Sequence, residues 1–200
     1  MQKITVTVSG IKEGQPIAER FAYGAPDGKG QVKDGGNINP AISWENAPKN
    51  TKSFAIIVVD PDVPASFESA NQPGKTIAAD FPRQNFYHWV LVDIPPYVTT
   101  IAEGADSHEV VKGGKPVGKK NYGISGLNSY PGGGYDGPCP PWNDERLHHY
   151  HFQVFALDVP SLGLTGKFTG PEAEKAMQTH ILAKGEVVGT YTNNQKMLEK

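Results

Sequence analysis

The amino-acid sequence predicts a mainly β fold, a β-sandwich with a large antiparallel sheet, Greek-key connections and few peripheral helices. Short apolar runs with strand periodicity recur along the chain. Turn-forming residues separate these runs, with 23 Gly and 17 Pro among 200 residues, and strands do not alternate with helices. A chain of this length can bury its own core, so we expect residues 1–200 to form a single domain.

The strand predictions follow the spacing of the apolar residues. Residues 4–8 alternate between apolar and polar, which predicts a strand with one buried face. Residues 54–59 are continuously apolar and predict a central strand covered on both faces. Residues 87–94 and 150–157 predict two further strands, each ending at Asp or Pro, and residues 186–192 predict a short closing strand.

One helix is predicted near the carboxyl end of the chain. Pro171 suits a first helical position, and Ala173, Met177 and Ile181 recur at every fourth residue. Gly185 is a suitable stop signal.

Two long polar segments, residues 65–86 and 103–136, are rich in Gly and Pro and predict loops. Loops of such length in a compact domain are usually functional or mobile. We therefore expect both to lie beside a functional site.

Composition excludes several classes of function. The chain has 19 Lys and Arg against 21 Asp and Glu, so no basic excess favours binding to nucleic acid. No stretch approaches the roughly 20 apolar residues of a membrane helix, which argues against integral membrane association. The start of the chain lacks the apolar run of a signal peptide, and Cys139 is the only cysteine, so we expect a cytoplasmic protein without disulfides.

Two glycine-rich segments match the sequence patterns of nucleotide-binding loops but lack the residues that such loops need after them. Residues 132–137 fit G-x-G-x-x-G, but prolines follow at once and prevent the helix that such a site needs. Residues 113–119 fit G-x-x-x-x-G-K, but Lys120 stands where a P-loop has Ser or Thr. No cofactor is predicted.

Histidine, cysteine and aspartate residues offer weaker signals. His149 and His151 share one face of a strand, but no third zinc ligand stands at a recognisable spacing, so no metal is predicted. Cys139 could be a nucleophile with His148 as its base, although flanking prolines favour a structural position. Residues 60–64, Asp-Pro-Asp-Val-Pro, are either an ordinary turn at a strand end or part of a site. We expect at least one cis proline there.

Four segments in this order resemble the phosphatidylethanolamine-binding protein family, which includes Raf kinase inhibitor protein. The bacterial and archaeal branch is the nearest, because Gly-Pro-Cys-Pro-Pro-Trp-Asn-Asp-Glu is typical of it. The resemblance spans residues 38–192. The segments are Asp60-Pro61-Asp62-Val63-Pro64, Tyr87-His88-Trp89, Tyr135-Asp136-Gly137-Pro138-Cys139-Pro140-Pro141 and Leu147-His148-His149-Tyr150.

The resemblance implies a β-sandwich with a pocket for small anions and phosphate head groups at one end. His88 and His148 are expected to donate charge-assisted hydrogen bonds to the anion, which would then bind more tightly below pH ~6 than above pH ~8. His149 stands where the commoner family segment has Arg, which puts neighbouring ion pairs in doubt. The ligand-binding residues carried over from the family are Asp60, Asp62, Pro64, His88, Tyr135, Gly137, Cys139, Pro141, His148 and Tyr150.

Three functions remain open at this point. The leading one is non-enzymatic binding of a small phosphate-like anion or head group, with no catalytic residues. The first alternative is an inhibitor or regulator of a protease or kinase that acts through its surface loops. The second is a hydrolase that uses Asp60, His88 and His148 as acid and base. The sequence leaves the oligomeric state open, a homodimer included.

Overall fold

The computed structural model describes residues 2–130 and 132–198, which contain twelve strands, two α-helices and one 3-10 helix. The strands are β1 (Gln2–Lys3), β2 (Thr5–Val8), β3 (Gly24–Pro26), β4 (Val32–Asp34), β5 (Ile42–Glu45), β6 (Ser53–Pro64), β7 (Arg83–Ile94), β8 (Thr100–Ile101), β9 (Gly118–Lys120), β10 (Gly123–Ser125), β11 (His148–Leu157) and β12 (Ile181–Tyr191). The 3-10 helix is Glu19–Phe21, and the α-helices are α1 (Gly170–Met177) and α2 (Gln195–Leu198).

The main sheet contains seven of these described strands, in the order β1-β12-β11-β6-β7-β10-β9. Its pairs are antiparallel except for β1, which runs parallel to β12. A second sheet, β2-β5-β8, packs on one face of the main sheet, and β3 and β4 form a separate hairpin. The predicted mainly β class with a large antiparallel sheet is confirmed.

The central strand β6 is buried on both faces, as its continuous apolar run predicts. Ile56 and Val58 join Trp44 in the core between the two sheets. Ile57 and Val59 point to the opposite face and join the core beneath α1. Each such side chain contributes roughly 1.5–3 kcal/mol on burial, so the sheet is stabilised from both sides.

The predicted helix begins where expected but ends earlier. Helix α1 stops at Met177, and Ile181, predicted as a helical residue, instead pairs with Leu157 as the first residue of β12. Gly185, predicted as the stop, pairs with Val154 inside the same strand. The fourth-residue spacing cannot reveal this pairing, because the partner strand is distant in sequence. No helix in the described ranges is both long and apolar enough to cross a membrane.

The acidic segment 60–64 is a strand rather than a tight turn, because β6 continues through it. Asp60 pairs with Phe86 and Val63 with Gln84, so β6 has one extra residue there and forms a β-bulge. The prediction of a cis proline in this segment is wrong, since both of its prolines follow trans peptide bonds. The extended backbone needs no tight reversal at this point.

Candidate functional site

A cavity of about 300 Å³ lies where the carboxyl end of β6 meets the first halves of β7 and β11. The antiparallel order of these three strands brings their polar ends to the same edge of the sheet. The residues that line it are Asp60, Val63, Phe67, Phe86, His88, Ser129, Tyr130, Cys139, Pro140, Pro141, His148 and Tyr150.

Six of the ten residues carried over from the family line this cavity. The sequence predicts that two histidines, an aspartate and a tyrosine converge on one cavity, and the structure brings these four together. Phe67, Phe86, Ser129 and Tyr130 were missed because they lie in the long polar segments 65–86 and 103–136, outside the four motifs. The six are Asp60, His88, Cys139, Pro141, His148 and Tyr150.

Tyr135 and Gly137 lie behind the wall of the cavity rather than on it. The Tyr135 hydroxyl donates to the carbonyl oxygen of Phe21 at 2.7 Å, and its ring packs edge-on against Trp89. The Gly137 N–H donates to Asn37 Oδ1 at 2.9 Å. A Cβ atom at Gly137 would lie 1.9 Å from the Phe21 carbonyl oxygen, so only glycine fits. Both residues thus hold the loop in place and lie outside the cavity lining.

Asp62 and Pro64 also lie outside the cavity lining. The Asp62 carboxylate accepts hydrogen bonds from Arg146 Nε at 2.6 Å and from the His149 N–H at 3.0 Å, and His149 Nδ1 lies 2.8 Å away. Burial would raise the pKa of Asp62, but His149 and Arg146 outweigh it and hold that pKa low. Pro64 accepts a bond from Gln84 Nε2 at 2.9 Å. His149 therefore keeps a carboxylate partner although it replaces the family's Arg.

His148 is held between two carboxylates. Its Nδ1 lies 2.6 Å from Asp60 Oδ2 and its Nε2 lies 3.1 Å from Asp144 Oδ2, and the side chain is fully buried. Burial opposes the charged ring, but the hydrogen bonds to Asp144 and Asp60 outweigh it and raise the pKa of His148 to about 9. Arg83 binds the same Asp144 carboxylate at 2.6 Å.

The role predicted for His148 as an anion donor is therefore wrong in this arrangement. Both ring N–H groups already donate to carboxylates, so neither is free for a ligand. Asp144 was missed, although it stands four residues before His148 within the family-typical Pro-Trp-Asn-Asp-Glu segment. The sequence does not show that this acidic residue turns back onto the histidine.

His88, unlike His148, has a hydrogen-bond partner at only one of its two ring nitrogens. Its Nδ1 lies 2.7 Å from the main-chain carbonyl oxygen of Asp136, which can only accept, so Nδ1 carries a proton. Its Nε2 is buried and has no hydrogen-bond partner within residues 2–130 and 132–198. Burial lowers the pKa of His88, with the charge of Asp60 acting partly against it. The neutral ring then offers Nε2 as an acceptor.

Aromatic rings surround His88 on the cavity side. The ring centroids of Phe86 and Tyr150 each lie 5.1 Å from that of His88, and the centroid of Tyr130 lies 5.8 Å away. Burial, followed by the charge of Asp60, raises the pKa of Tyr150 well above its ordinary value, so its hydroxyl stays protonated. These rings pack around the imidazole and restrict its orientation.

Cys139 has the properties of an inert thiol. Burial and the charge of Asp34 raise the pKa of Cys139 to about 11, so the thiolate is scarce at neutral pH. Ser129 is engaged as well, because its Oγ accepts the Tyr87 N–H at 2.9 Å. Neither side chain is activated as a nucleophile.

The arrangement offers no metal centre in the part of the chain that the structure describes, where no cluster of three or more His, Cys, Asp or Glu could hold an ion. His149 pairs with Asp62, while His151 Nδ1 lies 3.4 Å from Glu186 Oε2. That the protein needs no metal remains a prediction.

Relatives and solved structures agree with this architecture. A UPF0098 protein of Pyrococcus horikoshii is 39% identical over 158 residues, which are 79% of this chain but only 66% of that protein, slightly under two thirds. A UPF0098 protein of Aquifex aeolicus is 34% identical over 89% of this chain and 90% of its own length. The crystal structure of Escherichia coli YbcL, a new member of the mammalian PEBP family, matches with a TM-score of 0.72 and 25% identity over 95% of this chain and 98% of that one. The structure of Chlamydia trachomatis CT736, a phosphatidylethanolamine-binding protein homologue, matches with a TM-score of 0.67 and 28% identity. The match covers 96% of this chain and 98% of that one.

The family model for phosphatidylethanolamine-binding protein matches residues 7–192. This match contains all four motifs and extends the resemblance from residue 38 back to residue 7, within β2. The chain therefore belongs to the phosphatidylethanolamine-binding protein family.

Proposed function

We propose that the protein is a non-enzymatic binding protein whose cavity holds one small oxyanion, such as phosphate or the phosphate of a head group. The observation that carries the proposal is His88, a residue of the lining of a ligand-sized cavity, whose buried Nε2 has no hydrogen-bond partner in the described residues. Buried polar groups are nearly always satisfied, so an open one beside a cavity suggests a group that a ligand completes.

Hydroxyl groups beside His88 supply donors for an anion. Tyr130, Tyr150 and Ser129 each line the cavity, and a hydroxyl can donate to a phosphate oxygen. The Tyr130 hydroxyl donates to the Gly137 carbonyl oxygen over a long 3.3 Å, so it would have to turn from that oxygen to the ligand. Burial raises the pKa of both tyrosines well above the ordinary value, so these donors keep their protons throughout the neutral range.

The charges behind the cavity are balanced. Asp60 and Asp144 alternate with His148 and Arg83 in one connected row, so two carboxylates face two cations. An incoming anion therefore does not meet an uncompensated carboxylate at Asp60. This balance supports anion binding without a Lys or Arg in the cavity lining.

The contacts favour binding over catalysis. An acid/base hydrolase needs a histidine that exchanges protons near neutral pH, whereas carboxylates on both sides keep His148 charged. His88 keeps an open nitrogen, but no described hydroxyl or thiol is hydrogen-bonded to it. The nucleophile, base and orienting group of a hydrolase are thus not assembled.

A regulatory role through a protein partner is a second candidate. Phe67, at the cavity mouth, is 52% exposed, and Phe81 in the same segment is 38% exposed. Exposed aromatic side chains suit the centre of a protein interface. Inhibition assays against panels of proteases and kinases would separate this role from ligand binding alone.

The binding proposal is tested by titrating phosphate into the protein and following binding by calorimetry. We expect Tyr150→Phe to weaken phosphate binding by about tenfold, because a hydrogen bond to a charged group is lost. Tyr97→Phe is the matched control, since Tyr97 is 82% exposed and lies outside the cavity lining, and it should bind like the wild type. Absence of phosphate binding in the wild type, or turnover of phosphate esters, would refute the proposal.

A further inference from the structure

We propose that His88 makes the cavity selective for oxyanions that carry a proton, because its Nε2 accepts a hydrogen bond from a P–OH group of the ligand. Hydrogen phosphate would then bind, while sulfate, with the same shape and charge but no proton, would be rejected. This inference rests on the proposed anion-binding function and adds its ligand specificity.

The first step is the fixed tautomer of His88. The side chain donates from Nδ1 to the Asp136 carbonyl oxygen at 2.7 Å, and the Asp136 N–H donates back to the His88 carbonyl oxygen at 2.9 Å. This reciprocal pair ties the loop to β7 and holds the ring with Nδ1 against the main chain. In the neutral ring, Nε2 must then be the acceptor.

The second step is that, within the described residues, no side chain donates a hydrogen bond to Nε2 of His88. Asp60, whose charge acts on His88, already accepts from the Asp62 N–H at 2.8 Å and from His148. Burial lowers the pKa of His88, so the ring is neutral at pH 8. The titratable groups that face it are Asp60 from β6, His148 and Tyr150 from β11, and Tyr130, Asp136 and Cys139 from the loop before β11.

The third step is the chemistry of the ligand. An unprotonated oxygen would place its lone pairs against the lone pair on Nε2, whereas a P–OH forms a hydrogen bond with it. A phosphate monoester loses its last proton near pH ~6, so above that pH it must take up one proton from solvent on binding. A phosphodiester has no P–OH and is rejected together with sulfate, so the selectivity restricts the proposed head-group ligand to a phosphate monoester.

Phosphate and sulfate at pH 8 are the test pair, because both are mainly dianions and differ by one proton. We expect calorimetry to show phosphate binding at least about tenfold more tightly, since sulfate leaves the buried acceptor unpaired. Sulfate should gain affinity as the pH falls through the pKa of His88, because the protonated ring donates from Nε2. Methyl phosphate has lost its P–OH at pH 8, so its binding should be accompanied by the uptake of about one proton.

His88→Gln supplies the variant, because an amide can present either an N–H or an oxygen to the ligand. We expect its preference for phosphate over sulfate to fall to about threefold or less, with phosphate binding retained. Should the variant not fold, the acid-induced gain in sulfate affinity of the wild type decides the question alone. Equal affinities for phosphate and sulfate at pH 8 would overturn the selectivity and leave the binding function intact, whereas binding of neither anion at any pH would overturn both.

Discussion

The buried row of Asp60, His148, Asp144 and Arg83 links the stability of the protein to pH. In the unfolded chain the pKa of a histidine is about 6.5, and in the folded protein the two carboxylates raise the pKa of His148 to about 9. A raised pKa stabilises the folded state fully below the unfolded value, and that contribution is lost as the pH rises through the folded value. The relevant window is therefore pH 6.5 to 9.

We expect the free energy of unfolding to fall by about 2–3 kcal/mol between pH 6.5 and pH 9, because His148 loses its proton between two carboxylates. His148→Gln should be less stable at pH 6.5 and should show a much flatter profile across this window. Urea unfolding followed by circular dichroism at pH 6.5, 7.5 and 9 measures both quantities.

The control for this prediction is His180→Gln. His180 pairs with Asp158 at 2.8 Å, but the two side chains are 37% and 44% exposed, where ion pairs contribute little. This variant should keep the wild-type slope. An unchanged slope in His148→Gln would show that another group causes the pH dependence. Cys139, whose pKa is also raised, contributes to the pH dependence of stability only above pH ~9.

Sequence reasoning identified the side chains of the cavity better than their roles. Asp60, His88, His148 and Tyr150 could be named because they lie in short motifs with a recognisable order. Their hydrogen-bond partners could not be predicted. The partner of His88 lies 48 residues away in the sequence, and Asp144, which contacts both His148 and Arg83, had no predicted role. Whether a histidine donates or accepts depends on such partners, so the two histidines were given the same role although their environments differ.

At the level of elements, α1 covers one face of the main sheet. Ala173 and Met177 are 0% and 1% exposed and pack with Phe168 against the side chains of β6 and β7. The first turn approaches the sheet closely, because a Cβ atom at Gly170 would lie 2.2 Å from the Tyr87 ring. Since α1 has only eight residues, its stability must come from this packing.

We expect Met177→Ala to lower the free energy of unfolding by about 2–4 kcal/mol, because it leaves a cavity between α1 and the sheet. Lys175→Ala is the matched control, since Lys175 is exposed on the same helix, and it should change stability by less than about 0.5 kcal/mol. Chemical denaturation of both variants provides the measurement. Equal stabilities would mean that α1 is not docked as described.

Strands were predicted more reliably than the ends of elements. The runs that became β6 and the second half of β7 are apolar because both faces of these strands are buried, whereas the first half of β11 alternates between buried and half-buried residues; both signals are local. The end of α1 is not a local property, because Ile181 leaves the helix to pair with Leu157. The acidic segment 60–64 was misjudged for the same reason, since its strand continues only because β7 lies beside it.

At the scale of the whole molecule, two apolar cores on either side of the main sheet stabilise the fold. One lies between the sheets around Trp44 and Trp89, and the other lies beneath α1 around Val90 and Phe155. Cys139 is the only cysteine of the chain, so no internal disulfide adds to them. Stability therefore depends on apolar burial and on the hydrogen bonds of the sheets.

We expect removal of divalent metals to leave the folded protein and its phosphate binding unchanged. The reason is that its stability comes from the two cores, and no cluster in the described ranges suits a metal ion. Thermal unfolding with and without an excess of chelator should give Tm values within about 1 °C. A clear loss of Tm that added zinc or calcium reverses would contradict this expectation.

The β-bulge in β6 changes the phase of the strand between its two aspartates. In a regular strand, residues two apart point to the same side. Asp60, however, contacts His148, whereas Asp62 contacts His149. These two histidines are adjacent in β11 and therefore point to opposite sides of that strand. One extra residue thus separates a repeated acidic motif into two positions with different environments. Asp60 faces the cavity, while Asp62 secures the outer surface through Arg146.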